Sequence, residues 1–142
     1  MRPNSIIWFE RLFLASLVVS AANFILGYTQ MRQLWLADPR VAQVGLGSGF
    51  LVGAAVFSFV IYLLLWFLIA RKASRVAKWV LVVFIAIALI SLPSALTGPF
   101  SLAQALGLLV YILEIAAIVC LFRADARAWL AGAQTDEPST LD

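Results

Sequence analysis

The sequence predicts an all-α fold, a four-helix transmembrane bundle, and two observations carry this prediction. Four long apolar runs are separated only by short charged segments or by proline and glycine. The chain is 64% hydrophobic and 12% charged, whereas a soluble domain is about 45–50% apolar and about 25% charged. A small soluble domain buries only about two-thirds of its unfolded surface, so lipid must act as the solvent for this chain.

The first predicted span covers residues 6–28, which as a helix of about 34 Å can cross a bilayer. Residues 1–22 also fit a secretory signal peptide, because a basic start and an apolar stretch precede the small triplet Ser20–Ala22. However, Glu10 and Arg11 interrupt the early stretch, and the apolar run continues beyond the triplet. We therefore expect an uncleaved span.

The second helix should follow a short polar connection at residues 29–37. Asp38 followed by Pro39 is typical of an N-cap with proline at the first helical position. The helix is therefore predicted to start there and to run to Ala70, with the span itself at residues 44–70. Because this exceeds the thickness of the hydrocarbon core, its first turns should stand outside the membrane or the helix should tilt.

The third span is predicted at residues 75–96. Ser74 is a plausible N-cap for it. Pro93 should bend or end the helix, because the residue before a proline is pushed out of the helical region. The following Gly98-Pro99 pair should complete the break.

The fourth span is predicted at residues 101–122. Ser101 with Gln104 three residues later fits a capping box. The chain thus forms one four-span membrane domain, residues 1–130, and the polar, acidic tail at 131–142 is predicted to be disordered.

The distribution of basic residues predicts the orientation of the bundle. With four spans, both termini share one side of the membrane with the turn that joins the second and third spans. That side holds eight of the ten Lys and Arg residues: Arg2, Arg11, Arg71, Lys72, Arg75, Lys78, Arg123 and Arg127. The other side holds Arg32 and Arg40. The positive-inside rule then places both termini in the cytoplasm, and we expect a multi-pass protein of a bacterial inner membrane.

Glu114 is the only Asp, Glu, Lys or Arg side chain deep inside a predicted span. It lies about 3 Å from the middle of the fourth span, where a charged carboxylate costs several kcal/mol. We expect it to be protonated, partnered or beside water. A proton- or cation-coupled site and a protonated glutamate that hydrogen-bonds a neighbouring helix both remain open. Tyr111, one turn earlier, is a candidate donor to the carboxylate.

Two faces of small and polar residues predict helix contacts. In the fourth span the face consists of Ala103, Gly107, Val110, Glu114, Ala117 and Leu121. In the first span it consists of Ser16, Ser20, Asn23 and Gly27. Such faces usually mark helix–helix contacts, and this interpretation is favoured, while a polar lining for a solute path is the alternative. Ser16 should lie nearest in depth to Glu114.

The second span carries a doubled G-x-x-x-G pattern at Gly45, Gly49 and Gly53. Glycine at this spacing lets another helix approach closely. The pattern leaves open whether that helix belongs to the same chain or to a second copy. The surrounding stretch matches neither a dinucleotide fingerprint nor a phosphate-binding loop, so it predicts no nucleotide site.

The composition argues against an enzyme. The chain has no histidine and one cysteine, Cys120, which removes most metal, haem and Ser-His schemes. We expect no cofactor, metal or nucleic acid, and expect membrane lipid and either a second copy or another membrane protein as partners. The leading hypothesis is an accessory or binding component of the inner membrane. The alternative is a small proton-coupled carrier or channel that uses Glu114, with Ser16, Ser20 and Tyr111 as polar neighbours.

The segment Leu121–Leu130, in which the last apolar run passes into A-R-A-W-L, resembles the close of small bacterial four-helix inner-membrane proteins of unknown function. The resemblance covers this segment and the four-span layout. It implies an interfacial segment after the last span and no particular activity. Small multidrug-resistance transporters also have four spans and one buried acid, but in them the acid belongs to the first helix, so their mechanism does not transfer to Glu114.

Overall fold

A computed structural model describes residues 3–95, 97 and 100–132, and within these ranges the chain forms α-helices and no strand. The helices are α1 (Asn4–Ala37), α2 (Pro39–Val44), α3 (Ser48–Lys72), α4 (Arg75–Ala95), α5 (Leu102–Phe122) and α6 (Ala124–Gly132). Four of them, α1, α3, α4 and α5, are long and apolar enough to cross a membrane. The prediction of an all-helical chain with four candidate spans is confirmed.

Helix α1 is longer than predicted. It has 34 residues, about 51 Å of helix, and it continues through residues 29–37. The predicted polar connection there is therefore wrong as a break in the helix. No glycine or proline stands between Gly27 and Pro39, so nothing in the backbone interrupts the helix until Asp38 takes an extended conformation before the proline.

The predicted cap at Asp38 is confirmed, but the helix that it starts is short. The Asp38 carboxylate accepts a hydrogen bond from the Arg40 N–H at 2.8 Å, and α2 ends after six residues at Gly45, which has φ +69°. Helix α3 begins afresh at Ser48 after an extended Gly47. The prediction of one helix from Pro39 to Ala70 is wrong, because these glycines adopt non-helical conformations at little cost.

The next turn follows the prediction more closely. The Ser74 hydroxyl accepts from the Ala77 N–H at 3.2 Å and caps α4. Pro93 lies inside α4, which continues for two residues and ends at Ala95. The predicted break at Gly98-Pro99 lies outside the described residues.

The capping box of α5 is confirmed in both directions. The Gln104 N–H donates to the Ser101 hydroxyl at 3.3 Å, and the Ser101 N–H donates to the Gln104 side chain at 2.9 Å. After α5, the short helix α6 packs on α1. The predicted disordered tail is wrong for residues 131 and 132, which belong to α6, and its remainder, residues 133–142, lies outside the described residues.

The helices pack tightly at one end of the bundle only. We call this the basic end: there α1 and α4 begin and α3 and α5 end. Its core draws on five of the six helices: Ile6, Phe9, Phe13, Leu17, Leu65, Ile69, Ala70, Ala77, Leu81, Ile85, Ala117, Leu121 and Ala126. Toward the opposite end, the far end, the described residues of the four spans are half-buried or exposed. The bundle is closed at the basic end and open at the far end.

Candidate functional site

Glu114 is buried in the middle of the bundle. Only 7% of the residue is exposed, and within the described part of the chain its carboxyl group makes no hydrogen bond or ion pair. The phenol groups of Tyr62 on α3 and Tyr111 on α5 lie close enough to interact with its charge. The prediction that Glu114 lies inside the bundle agrees with this position.

Tyr111 does not donate to Glu114. Its hydroxyl donates instead to the backbone carbonyl of Ala88 on α4, at 3.3 Å. Three residues along a helix change the direction of a side chain by about 60°, so Tyr111 meets α4 while the stripe that contains Glu114 faces α1. The proposed hydrogen bond between this pair is therefore wrong in this structure.

Ser16 shares the depth of Glu114. The register of α1 against α5 and α6 follows from Ser5, whose hydroxyl donates to the Asp125 carboxylate at 2.7 Å. Ser16 comes eleven residues after Ser5 on α1. Glu114 comes eleven residues before Asp125, with the extended Arg123 between α5 and α6, so the two side chains lie at a similar depth in the antiparallel helices. Ser16 is fully buried, and its hydroxyl donates to the Phe13 carbonyl at 2.7 Å. The hydroxyl proton is engaged, which leaves the oxygen able to accept a hydrogen bond.

Tyr62 is the member of this group that the sequence analysis missed. Its ring lies between Phe13 on α1 and Phe84 on α4, with centroid distances of 6.1 and 6.3 Å. A tyrosine near the middle of an apolar span is a weak signal, because most such rings serve packing. Only the packing of α3 beside α1 brings it to the level of Glu114.

A cleft of about 850 Å³ opens beside α1 and α5 in the far half of the bundle; we call it the far cleft. Its polar lining comprises Ser20, Asn23, Gln30, Thr97, Ser101, Gln104 and Tyr111. The two predicted stripes meet here, since Ser20, Asn23 and Gly27 share the cleft with Val110, Gly107 and Ala103.

At this level the stripes leave space instead of closing on each other. Among the described residues, no atom lies within 4 Å of the position that a Cβ would take on Gly27 or Gly107. Gly107 was predicted to allow close helix packing, and the structure contradicts this within the chain. Ser20 and Asn23 line this cleft, and their role in a solute path stays a prediction.

Glu114 lies one helical turn beyond the deep end of the far cleft. Val110 and Tyr111 belong to the cleft lining, and Glu114 follows them on α5 in the direction of the basic end. Beyond it the core closes, since Phe13, Leu81 and Leu121 are fully buried. The arrangement is a largely apolar cleft that carries several polar side chains, with a buried carboxyl group one helical turn beyond its deep end.

The glycine pattern does not form a packed helical strip within the chain. Gly45 ends α2 and is outside α3, while Gly49 and Gly53 are exposed on α3. Among the described residues, nothing lies within 4 Å of a Cβ built on any of the three. Of the two interpretations that the sequence left open, packing against a helix of the same chain is excluded for the described residues.

The described side chains offer hydrogen-bonding and acid–base groups and no metal-ligand cluster, since three or more His, Cys, Asp or Glu residues do not gather anywhere among them. The chemistry that the site can perform is therefore recognition of a polar or cationic group, or uptake and release of a proton at Glu114. Comparison with known proteins adds no further restriction: no protein-family model, curated protein or solved structure matches the chain.

Proposed function

We propose that this protein is a non-enzymatic binding component of a membrane, and that its ligand enters the far cleft with a polar group directed toward Glu114. One observation carries the proposal: among the residues that the structure describes, Glu114 is buried without a hydrogen bond, one turn beyond a cleft whose lining includes amide and hydroxyl groups. A buried polar group without a partner costs about 1–3 kcal/mol. A bound ligand that supplied the partner would recover this free energy.

The lining of the cleft defines the class of ligand. Its volume of about 850 Å³ lies within the range of about 300–1,000 Å³ that is typical of small-molecule sites. Apolar side chains such as Phe24, Met31 and Leu108 stand among its polar groups. A ligand with an apolar body and an amine or other hydrogen-bond donor fits both features. The amine would approach the Glu114 carboxylate while Asn23 and Gln104 hold other polar atoms.

Binding of a fluorescent aliphatic amine, compared with the alcohol of the same chain length, tests this proposal in detergent or nanodiscs. Charged hydrogen bonds contribute about 1.5–3 kcal/mol, so Glu114→Gln should weaken amine binding by about tenfold or more and leave the alcohol unchanged. Glu10→Gln is the matched control, because Glu10 lies at the basic end beside Arg71, away from the cleft. Equal amine binding by wild type and Glu114→Gln would show that the carboxyl group does not recognise the ligand.

A small proton-coupled carrier is the second candidate, and the shared depth of Glu114 and Ser16 favours it. A protonated Glu114 could donate to the Ser16 oxygen, and groups from α1, α3 and α5 meet at this level. Transport would require the core between Phe13 and Leu121 to open, because both are fully buried. Proton flux into liposomes, measured with wild type and Glu114→Gln, separates the two candidates. A carrier loses flux on substitution, whereas a binding protein shows none in either form.

The proposal also includes the type of membrane and the orientation of the bundle in it. Eight of the ten basic residues lie at the basic end or in the segment before it, and the positive-inside rule then directs this end to the cytoplasm. The far cleft would face the opposite side. We place the protein in a bacterial inner membrane on this basis, with the cleft accessible from the outer leaflet or the periplasm.

A further inference from the structure

Lys78 is a buried cation at the basic end, separate from the far cleft. It lies in the first turns of α4, and only 7% of the residue is exposed. Its ammonium nitrogen stands 3.9 Å from the ring centroid of Phe122 and 5.8 Å from that of Trp79. Such cation–π contacts contribute about 0.5–2 kcal/mol. They offset only part of the cost of removing an ammonium group from water.

Two further cations lie near enough to Lys78 for their charges to act on it. The charges that act on its ammonium group are those of Arg75 and Arg127. Arg75 is held in place by its Nε, which donates to the Leu130 carbonyl of α6 at 3.2 Å. Three positive charges from α4 and α6 are therefore brought together, which is unfavourable unless an anion lies among them.

No acidic side chain in the described part of the chain neutralises this group, which we call the cation cluster. Asp125, on the same short helix as Arg127, accepts hydrogen bonds from the Ser5 hydroxyl and N–H. Glu10 pairs with Arg71, with an oxygen–nitrogen distance of 3.7 Å. The cluster thus combines a buried lysine with two exposed arginines, and the Arg75 Nε is the one donor of the three side chains with a hydrogen bond among the described residues.

We propose that Lys78, Arg75 and Arg127 form a binding site for a phosphate group at the basic end of the bundle. Guanidinium groups match the geometry of phosphate oxygens and can donate two hydrogen bonds each, while the ammonium group adds a point charge. The same chemistry is offered by the phosphate of an anionic lipid headgroup and by free phosphate. The neighbouring Trp79 and Phe122, both exposed on the bundle surface, suit the interface where lipid headgroups lie.

Lipid binding to the purified full-length protein in a neutral detergent tests the site. Phosphatidylglycerol, phosphatidylcholine and inorganic phosphate are the three probes, and native mass spectrometry with a thermal-shift assay is the readout. Lys78→Met keeps the apolar stem and removes the charge. It should weaken phosphatidylglycerol binding by about tenfold or more, since it removes a charged hydrogen bond. Lys72→Met is the matched control, because Lys72 is an exposed cation at the same end, and its loss should cost at most about fivefold.

The three probes distinguish a lipid headgroup from free phosphate, and the variants show whether the site exists. Binding of phosphatidylglycerol alone assigns the lipid headgroup, and competition by inorganic phosphate assigns the free ion; both support a phosphate site. Equal losses for Lys78→Met and Lys72→Met overturn it, because they indicate diffuse attraction only. Arg127→Gln, which leaves the buried lysine intact, decides the matter if Lys78→Met does not fold.

The sequence beyond Gly132 contains acidic residues, so lipid binding is also compared between the full chain and a chain that ends at Gly132. If a chain that ends at Gly132 binds phosphatidylglycerol and the full chain binds neither phosphate probe, the tail is the anion that the cluster accepts. That result would overturn the proposed ligand. If both chains bind the lipid with the same dependence on Lys78, the phosphate site stands.

Discussion

At the scale of single residues, Glu114 occupies a position where folding requires an apolar side chain and the chain has a carboxyl group instead. Its neighbours Ala117 and Leu121, one and two turns along the same face, are fully buried and apolar, which is what close packing needs. Glu114 takes the same kind of position with a carboxyl group that makes no hydrogen bond among the described residues. The fold would be served at least as well by an apolar side chain there.

The effect of a substitution at Glu114 on stability should therefore depend on whether the new side chain is apolar or charged. Glu114→Leu should preserve or raise thermal stability, by up to about 1–3 kcal/mol, because it removes an unpartnered buried polar group. Glu114→Lys should impair assembly, because a lysine at the centre of a span costs about 2.5–3.5 kcal/mol. Yield and thermal unfolding in detergent measure both effects. A normal yield of Glu114→Lys would mean that the residue faces lipid or water instead of the bundle interior.

The hydrogen bonds between Ser5 and Asp125 should make stability depend on pH. The donating Ser5 hydroxyl, assisted by its N–H, holds the pKa of the Asp125 carboxyl below its usual value. A group whose pKa is depressed by folding contributes stability above its unfolded pKa, about 3.9 for Asp, and loses it as the pH falls through the folded pKa. Wild type should therefore be more thermostable than Ser5→Ala at neutral pH.

That advantage should disappear in acid, and thermal unfolding from neutral pH to below about pH 3 measures it. Asp125→Asn is the control, because it has no carboxyl group to titrate. The difference in thermal stability between wild type and Asp125→Asn should disappear in acid in the same way as the difference between wild type and Ser5→Ala. A difference between wild type and Ser5→Ala that is constant with pH would show that Ser5 acts by packing alone.

The residues around Glu114 show which parts of a site follow from sequence. The similar depth of Ser16 and Glu114 could be expected from the sequence, because both positions are counted along antiparallel helices from the same end of the bundle. The direction of the Tyr111 hydroxyl was not, since it depends on which neighbour covers the adjacent face of α5, and that neighbour is α4. Tyr62 required the packing of α3 as well. Contacts within one helix or one register are accessible to sequence reasoning, and contacts that join three helices are not.

At the scale of elements, glycine and proline determine where the helices end. Asp38-Pro39 ends α1, and Gly45 with Gly47 separates α2 from α3. The sequence predicts Asp38-Pro39 as the start of a helix and not as the end of α1. It predicts the glycines as part of a helix, because their spacing of four also fits a packing strip. Whether a glycine takes a helical or a left-handed backbone conformation depends on the local balance of hydrogen bonds, which spacing does not report.

The glycines of this region should consequently respond in opposite ways to alanine. Gly53 is exposed inside α3 with open space around it, so Gly53→Ala should stabilise the helix by about 0.5–1 kcal/mol. Gly45 has φ +69°, so Gly45→Ala should destabilise the α2–α3 turn by about 1–2 kcal/mol. Thermal unfolding of the two variants gives the comparison.

Chemical cross-linking between copies of the chain, at positions along residues 45–53, accompanies this measurement. A loss of stability in Gly53→Ala together with a loss of intermolecular cross-links would contradict the prediction. It would assign the exposed glycines to an interface between copies, the alternative that remains open from the sequence.

At the scale of the whole molecule, the two candidate sites lie at opposite ends of one bundle. At the basic end the buried core joins α1 to α5, and the Ser5–Asp125 hydrogen bonds join α1 to α6. The polar stripes of α1 and α5 meet along the far cleft. The cation cluster sits beside the closed end, where α6 folds back over α1 and α4. Binding at the far cleft and phosphate binding at the cluster would therefore act on the two ends of the same helices.

The orientation of the bundle decides which compartment each site faces, and it can be measured with single cysteines. In a Cys120→Ala background, Gln43→Cys places a thiol on exposed α2 at the far end, and Ala128→Cys places one on exposed α6 at the basic end. The excess of Lys and Arg at the basic end predicts that it is cytoplasmic. A membrane-impermeant maleimide should then label Gln43→Cys in intact cells and Ala128→Cys only after permeabilisation. The reverse pattern would turn the far cleft toward the cytoplasm, and it would require any ligand of Glu114 to come from inside the cell.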